Sequence, residues 1–154
     1  MRVVTDDLAK RLEMLLVLQW LDEGRPEDGT VALSVSTAAV ELGLEAPVFT
    51  AAIKRFDKLI GDFERTLSSS EWLAGDTYSL AEVAYTPYMI RLDNFGFTEL
   101  FKQRPHATAW KNRLFERPTF QHAVAKWLNP DYLALFQEHG PAAQVKVRAI
   151  LAAN

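Results

Sequence analysis

The sequence predicts an all-α protein, a single helical bundle over residues 1–154, and three observations predict it. Helical periodicity dominates the chain while alternating apolar and polar runs bounded by turns are scarce. Phe49, Ile53, Phe56, Ile60, Phe63 and Leu67 recur at intervals of four and three, which places them on one stripe of a helix. Ser79 followed three residues later by Glu82, ahead of an apolar run, is a capping box that fixes where another helix starts.

Taken in order, Thr5 or Asp6 can cap a first helix, with Asp6 and Asp7 near its positive end. Leu8, Leu12, Leu15 and Leu16 mark one face, but from Met14 to Leu18 every position is apolar, so this helix has more than one surface to bury. Glu23-Gly24-Arg25-Pro26 and Asp28-Gly29 end it. Between Thr30 and Leu42, Val31, Leu33 and Val35 alternate as in a strand; an isolated strand has no partner here, and the segment is assigned as helix.

The long stripe from Phe49 to Leu67 follows Gly43 and Pro47 and ends at Ser68-Ser69-Ser70. Lys54, Arg55, Asp57, Lys58, Asp62, Glu64 and Arg65 lie off it, facing solvent. The segment Glu71–Leu92 then forms a turn and a buried helix, with Asp76, Ser79 and Glu82 as its anchor and Tyr78 and Val83 at hydrophobic-staple positions. Pro87 removes one backbone hydrogen bond inside that helix and predicts a kink, while Asn94 and Gly96 suit a left-handed cap after it. The next helix spans Pro105 to Glu116 with Trp110 and Leu114 inward; Pro118 opens another whose apolar face is Phe120, Val124 and Trp127. After Asn129-Pro130, two further segments are expected, Asp131–His139 and Ala142–Ala152, the second docking through Val145, Ile150 and Leu151.

Composition excludes several chemistries. No cysteine is present, so disulfides and thiolate nucleophiles are excluded. A net charge of −3 from 17 basic and 20 acidic side chains offers no case for nucleic-acid binding. The basic run Lys102, Arg104, Lys111, Arg113 and Arg117 is interrupted by Glu99 and Glu116 and reads as a solvated face. No apolar run approaches the ~20 residues of a membrane span, and no signal-peptide pattern opens the chain, so no membrane association and a cytoplasmic location are expected. His106, His122 and His139 lie on separate segments without ligand spacing, so no metal site is proposed. The hydrolase elbow G-x-S-x-G and Gly-rich phosphate loops are absent.

Two clusters are candidates for ligand contact. Tyr85, Tyr88 and Arg91 lie along one helix, where an arginine beside a phenol can orient an acidic or phenolic ligand; the competing and favoured reading is that Tyr88 packs in the core and Arg91 pairs with Asp93, Asp62 or another carboxylate. Glu13, Met14 and Val17, with Trp20 and Leu21, can line an apolar small-molecule site, or equally form core and dimer surface.

The string WLAGDTYSLAEVAYTPYMIRL, followed by Pro105, Trp110, Arg113 and Arg117-Pro118-Thr119-Phe120, resembles the capping segment and central helix of the C-terminal helical domain of glutathione transferases. The resemblance runs from about Leu8 to Trp127, with Glu82 where that family usually has Asp. It implies that the first helix faces a thioredoxin-like domain and a dimer partner and lines the pocket for the hydrophobic substrate, giving Glu13, Met14 and Val17 a substrate-binding role beside Tyr85, Tyr88 and Arg91. The thioredoxin-like domain, which holds glutathione and the catalytic group in that family, has no counterpart in these residues. No catalytic residue is therefore carried over, and glutathione is expected only if a thioredoxin-like partner supplies its site. A homodimer or such a partner, meeting the first helix, follows as the expected assembly. Three roles stay open: a helical component of a transferase-type enzyme, a repurposed small-molecule enzyme without glutathione, and a non-catalytic scaffold module.

Overall fold

The computed structural model describes residues 43–128 and 130–153. The expected first helix with Glu13, Met14 and Val17, and the segment Thr30–Leu42, lie outside the described residues. Within them the chain forms five helices, α1 (Pro47–Leu67), α2 (Leu80–Asn94), α3 (Pro105–Glu116), α4 (Pro118–Ala123) and α5 (Pro130–Ala152), with 3-10 turns at Thr98–Phe101 and Ala125–Trp127. No strand occurs among the described residues, and no helix there is long and apolar enough to cross a membrane.

Helix α1 starts with Pro47 in its first turn and buries Phe49, Ile53, Ile60, Phe63 and Leu67, with Phe56 half-buried beside them. That is the stripe expected from the intervals of four and three. Two polar residues off the stripe do more than face water. The Glu64 carboxylate accepts from the Ala107 N–H at 2.8 Å and the His106 N–H at 3.3 Å, so a side chain of α1 satisfies the orphan donors at the start of α3. Two turns earlier on α1, Asp57 pairs with Arg104 at 2.7 Å, and Arg104 also donates to the Leu100 carbonyl at 2.6 Å. The start of α3 is thereby clasped to α1, and its Trp110 and Leu114 are fully buried as expected.

Helix α2 ends in a Schellman motif: the Gly96 N–H donates to the Asp93 carbonyl at 2.8 Å and the Phe97 N–H to the Leu92 carbonyl at 2.9 Å. Gly96 takes the left-handed conformation, φ 69°, that this closure needs, whereas Asn94 remains helical. Phe95 and Phe97 beyond it are buried, stacked 5.1 Å apart, and Phe136 of α5 packs on Phe95 at 4.5 Å.

The C-terminal region corrects two expectations. Residues 130–152 form one helix through Pro141. Half-buried Leu133 with buried Phe136, Gly140, Ala143, Val147 and Ile150 keeps one register across the proline, so packing holds the helix together where Pro141 removes a single hydrogen bond. Gly140 is needed there, because a Cβ would stand 3.2 Å from the Phe95 carbonyl oxygen, which also accepts from Gln144 Nε2 at 3.0 Å. Val145 is 61% exposed, and Ala143 and Val147 take the docking role assigned to it. Helix α4 is short and buries none of its residues fully; Phe120 stacks on Phe115 at 4.8 Å, and Val124 and Trp127 fall beyond it, in the cap and the 3-10 turn.

Candidate functional site

The candidate ligand residues lie on α2, so the devices that fix α2 fix them. The Ser79 hydroxyl accepts from the Ala81 N–H at 3.1 Å, and Glu82 returns the capping box by accepting from the Ser79 N–H at 2.8 Å and the Ser79 hydroxyl at 2.7 Å. Its other carboxylate oxygen accepts from the Leu73 N–H at 2.6 Å, and Glu82 is fully buried. Between Trp72 and Gly75 a pair of backbone hydrogen bonds closes the preceding turn, with Gly75 at φ 118°. One carboxylate therefore ties that turn to the helix it precedes. Asp76, expected as part of the same anchor, is exposed. The staple residues part company: Tyr78 packs edge-on against Trp72 at 5.4 Å, while Val83 is 51% exposed.

Helix α2 has two faces. Ala81, Glu82, Tyr85, Met89 and Leu92 point into the bundle, and the opposite face carries Leu80, 60% exposed, with Val83, Pro87 and Arg91, also exposed. The sequence is apolar on both sides, which predicts a buried helix; among the described residues one side is buried and the other is left uncovered.

The structure divides the tyrosine–arginine cluster between these faces. Tyr85 is core, edge-on to Phe63 at 4.8 Å. Tyr88, half-buried, lies at the border of the two faces, 6.5 Å from the Tyr85 ring and 6.3 Å from Phe56. Arg91 is on the exposed face in the last turn. Of the carboxylates considered for it, Asp93 pairs with Lys111, and Asp62 pairs with Lys58 and Arg65. Partial burial works to raise the Asp62 pKa, but hydrogen bonds from Lys58 and Arg65 outweigh it and hold the carboxyl below its usual range.

Burial, with smaller contributions from Tyr88 and Asp62, pushes the Tyr85 phenol from its ordinary 10.0 up to about 12. Tyr85 is thus a neutral phenol at physiological pH, suited to hydrogen bonding or packing and not to service as a base. Because the folded value is raised, its stabilisation is complete below about pH 10 and is lost as pH rises through about 12, at up to about 1.4 kcal/mol per pH unit. Urea titrations between pH 9 and pH 12 should show this decline in the wild type and a flatter profile in Tyr85→Phe; identical profiles would contradict the assignment.

The basic run is not the solvated face its sequence suggested. Lys102, exposed, pairs with Glu99, but Arg104, Lys111, Arg113 and Arg117 are half-buried. Lys111 pairs with Asp93 and lies over Phe101 and Phe115, while Arg113 and Arg117 fold onto Trp72 and Tyr78. For Arg113 and Arg117 sequence spacing could not reveal this, because Trp72 and Tyr78 come from a different segment. His106, His122 and His139 stand on three different helices, and no cluster of three or more metal-ligating side chains occurs among the described residues.

Comparison with known proteins places these features in context. The family model "Glutathione S-transferase, C-terminal domain" matches residues 38–118. The chain is 30% identical over 95 residues to a 2,5-dichlorohydroquinone reductive dechlorinase of Sphingobium indicum, covering 58% of this chain and 28% of that protein. It is 30% identical over 120 residues to glutathione S-transferase F10 of Arabidopsis thaliana, covering 74% and 56%, and 26% identical over 125 residues to glutathione S-transferase GstB of Escherichia coli, covering 80% and 58%. The chain thus spans between 28% and 58% of the length of these relatives. No solved structure gives a significant match.

Proposed function

We propose, from the premise that this chain belongs to the glutathione S-transferase C-terminal domain family, that it supplies the helical half of a small-molecule-transforming assembly and receives an apolar aromatic compound against α2. The observation that carries this reading is the Leu80–Val83–Pro87 face, left uncovered by the described residues, with Tyr88 at its border and Arg91 at its far end. Such a face provides apolar contact with a few polar groups to orient a ligand, which is what small-molecule sites use. In this reading Glu13, Met14 and Val17 share in substrate binding, Tyr88 and Arg91 address the ligand's hydroxyl or acidic group, and Tyr85 supports Tyr88 from the core. Similarity to a protein named for a chlorinated hydroquinone supports an aromatic, phenolic substrate class. Glutathione is held by a thioredoxin-like half, fused or separate, and no residue described here is assigned to it. The assembly is a homodimer or a pairing with that half through the first helix, in the cytoplasm.

Calorimetric titration with 2,5-dichlorohydroquinone under anaerobic conditions tests the reading. Saturable binding at micromolar to millimolar dissociation constants is expected, weakened about tenfold by Val83→Glu or Tyr88→Ala. Absence of saturable heat, or binding indifferent to both substitutions, overturns it. The same uncovered face favours a second reading, a protein-interaction module. A dimeric mass by light scattering that Val83→Glu renders monomeric, together with no ligand binding, would establish that alternative.

A further inference from the structure

At the other end of α2, before its N-cap, two arginines stand without a counter-ion among the described residues. The Arg113 guanidinium carbon lies 5.4 Å from the Trp72 ring centroid; that of Arg117 lies 5.8 Å from the same centroid and 3.7 Å from that of Tyr78. Trp72 and Tyr78 meet edge-on, so the two rings make a rigid bracket for both guanidiniums. Neither arginine joins any ion pair among the described residues, although Arg104 and Lys111 nearby in sequence each do. Glu71 and Glu116, their acidic neighbours in sequence, are exposed and form no such pair with them. Arg113 donates to the Glu71 carbonyl, while among the described residues the Arg117 side chain has ring contacts and no hydrogen bond. The Nε atoms of both are buried without an acceptor.

This arrangement is costly as it stands. Two like charges held beside one ring repel each other, and partial burial weakens the screening that water would provide. An anion bound at the guanidinium Nη atoms would relieve that repulsion, while the buried Nε–H groups stay shielded from solvent. Stacking on aromatic faces also fixes the guanidinium planes, so Nη donors beyond the one Arg113 gives to Glu71 can meet an anion without further loss of side-chain freedom. We propose that Arg113 and Arg117, seated on Trp72 and Tyr78, form a binding site for an oxyanion, the carboxylate or phosphate group of a small molecule. A planar fork of N–H donors matches either group through paired charge-assisted hydrogen bonds. The site is independent of the apolar face bearing Tyr88 and Arg91.

The buried Nε–H groups give the test its signal, since they are shielded from exchange with solvent. Arginine-selective nitrogen–proton spectra of the whole chain would be followed during titration with inorganic phosphate, with acetate and with chloride at constant ionic strength. Saturable shifts of the Arg117 and Arg113 Nε–H signals are expected with phosphate or acetate at about millimolar half-saturation, and not with chloride. The oxyanion that saturates identifies the group recognised. Arg117→Gln should weaken binding at least about tenfold, and Arg117→Lys, which keeps the charge over Tyr78 but not the fork, should weaken it severalfold. Linear shifts, equal shifts with chloride, or saturation unchanged in a folded Arg117→Lys protein would overturn the site.

Discussion

Glu82→Ala should lower the unfolding free energy by about 3–5 kcal/mol, the loss expected when a buried, hydrogen-bonded charge is deleted and its donors are stranded. The carboxylate is fully buried and accepts from the Leu73 N–H, the Ser79 N–H and the Ser79 hydroxyl. Removing it leaves two backbone donors without partners and releases the turn from α2. Glu82→Gln is the sharper variant, because it keeps the volume. Its amide nitrogen must face either Leu73 N–H or Ser79 N–H, donor against donor, so a loss of about 2–3 kcal/mol is expected. Urea denaturation followed by circular dichroism measures both. A Glu82→Gln protein within about 0.5 kcal/mol of wild type would show that the carboxylate does not anchor the helix.

Phe63→Ala is the second large effect, about 3–5 kcal/mol, because it opens a cavity where three helices meet. Phe63 of α1 lies edge-on to Tyr85 of α2 at 4.8 Å and to Trp110 of α3 at 5.2 Å, geometry that adds to simple burial. Trp110 already holds its Nε1–H without an acceptor, so the region has no slack polar contact to recover. Phe63→Leu, which fills most of the space, should cost about 1–2 kcal/mol. The cavity also has an electrostatic signature. Water entering beside Tyr85 would relieve the burial that raises its pKa, and the phenol should titrate nearer its ordinary 10.0 than about 12. A full-sized stability loss with an unmoved Tyr85 titration would mean that burial by Phe63 is not the cause of the raised value.

Local chemistry was largely legible in the sequence where a single segment contained the whole device, the Tyr78–Val83 staple being an exception because Val83 is exposed. The stripe Phe49–Leu67, the Ser79–Glu82 capping box, Gly96 as the left-handed cap and the bounds of Pro105–Glu116 all depend on spacings of a few residues. Devices assembled across the chain were not legible. Glu64 looked like a surface acid of α1 until α3 arrived with two free N–H groups, and Arg113 and Arg117 looked solvated until Trp72 and Tyr78 were folded beneath them. Pro141 looked like a break because a proline's local cost is visible in sequence, whereas the packing of Phe136, Ala143 and Val147 that offsets it is not.

The candidate site shows the same division. Tyr85, Tyr88 and Arg91 were recognisable as neighbours on one helix, yet only the packing tells which side of α2 is core. Because α2 is apolar on both faces, periodicity could not choose between them. Tyr85 consequently belongs to the bundle interior, Tyr88 to the border and Arg91 to the exposed face, and the apolar residues that join them there, Leu80 and Val83, were not among the expected ligand contacts.

The uncovered face of α2 as a ligand surface is tested most directly by backbone nitrogen–proton correlation spectra of the protein titrated with the aromatic probe. Saturable shifts concentrated at Leu80, Val83, Ala84, Tyr88 and Arg91, with Ala107 and Trp110 in the core unmoved, are the predicted result. Shifts centred on the core, or none that saturate, would contradict it.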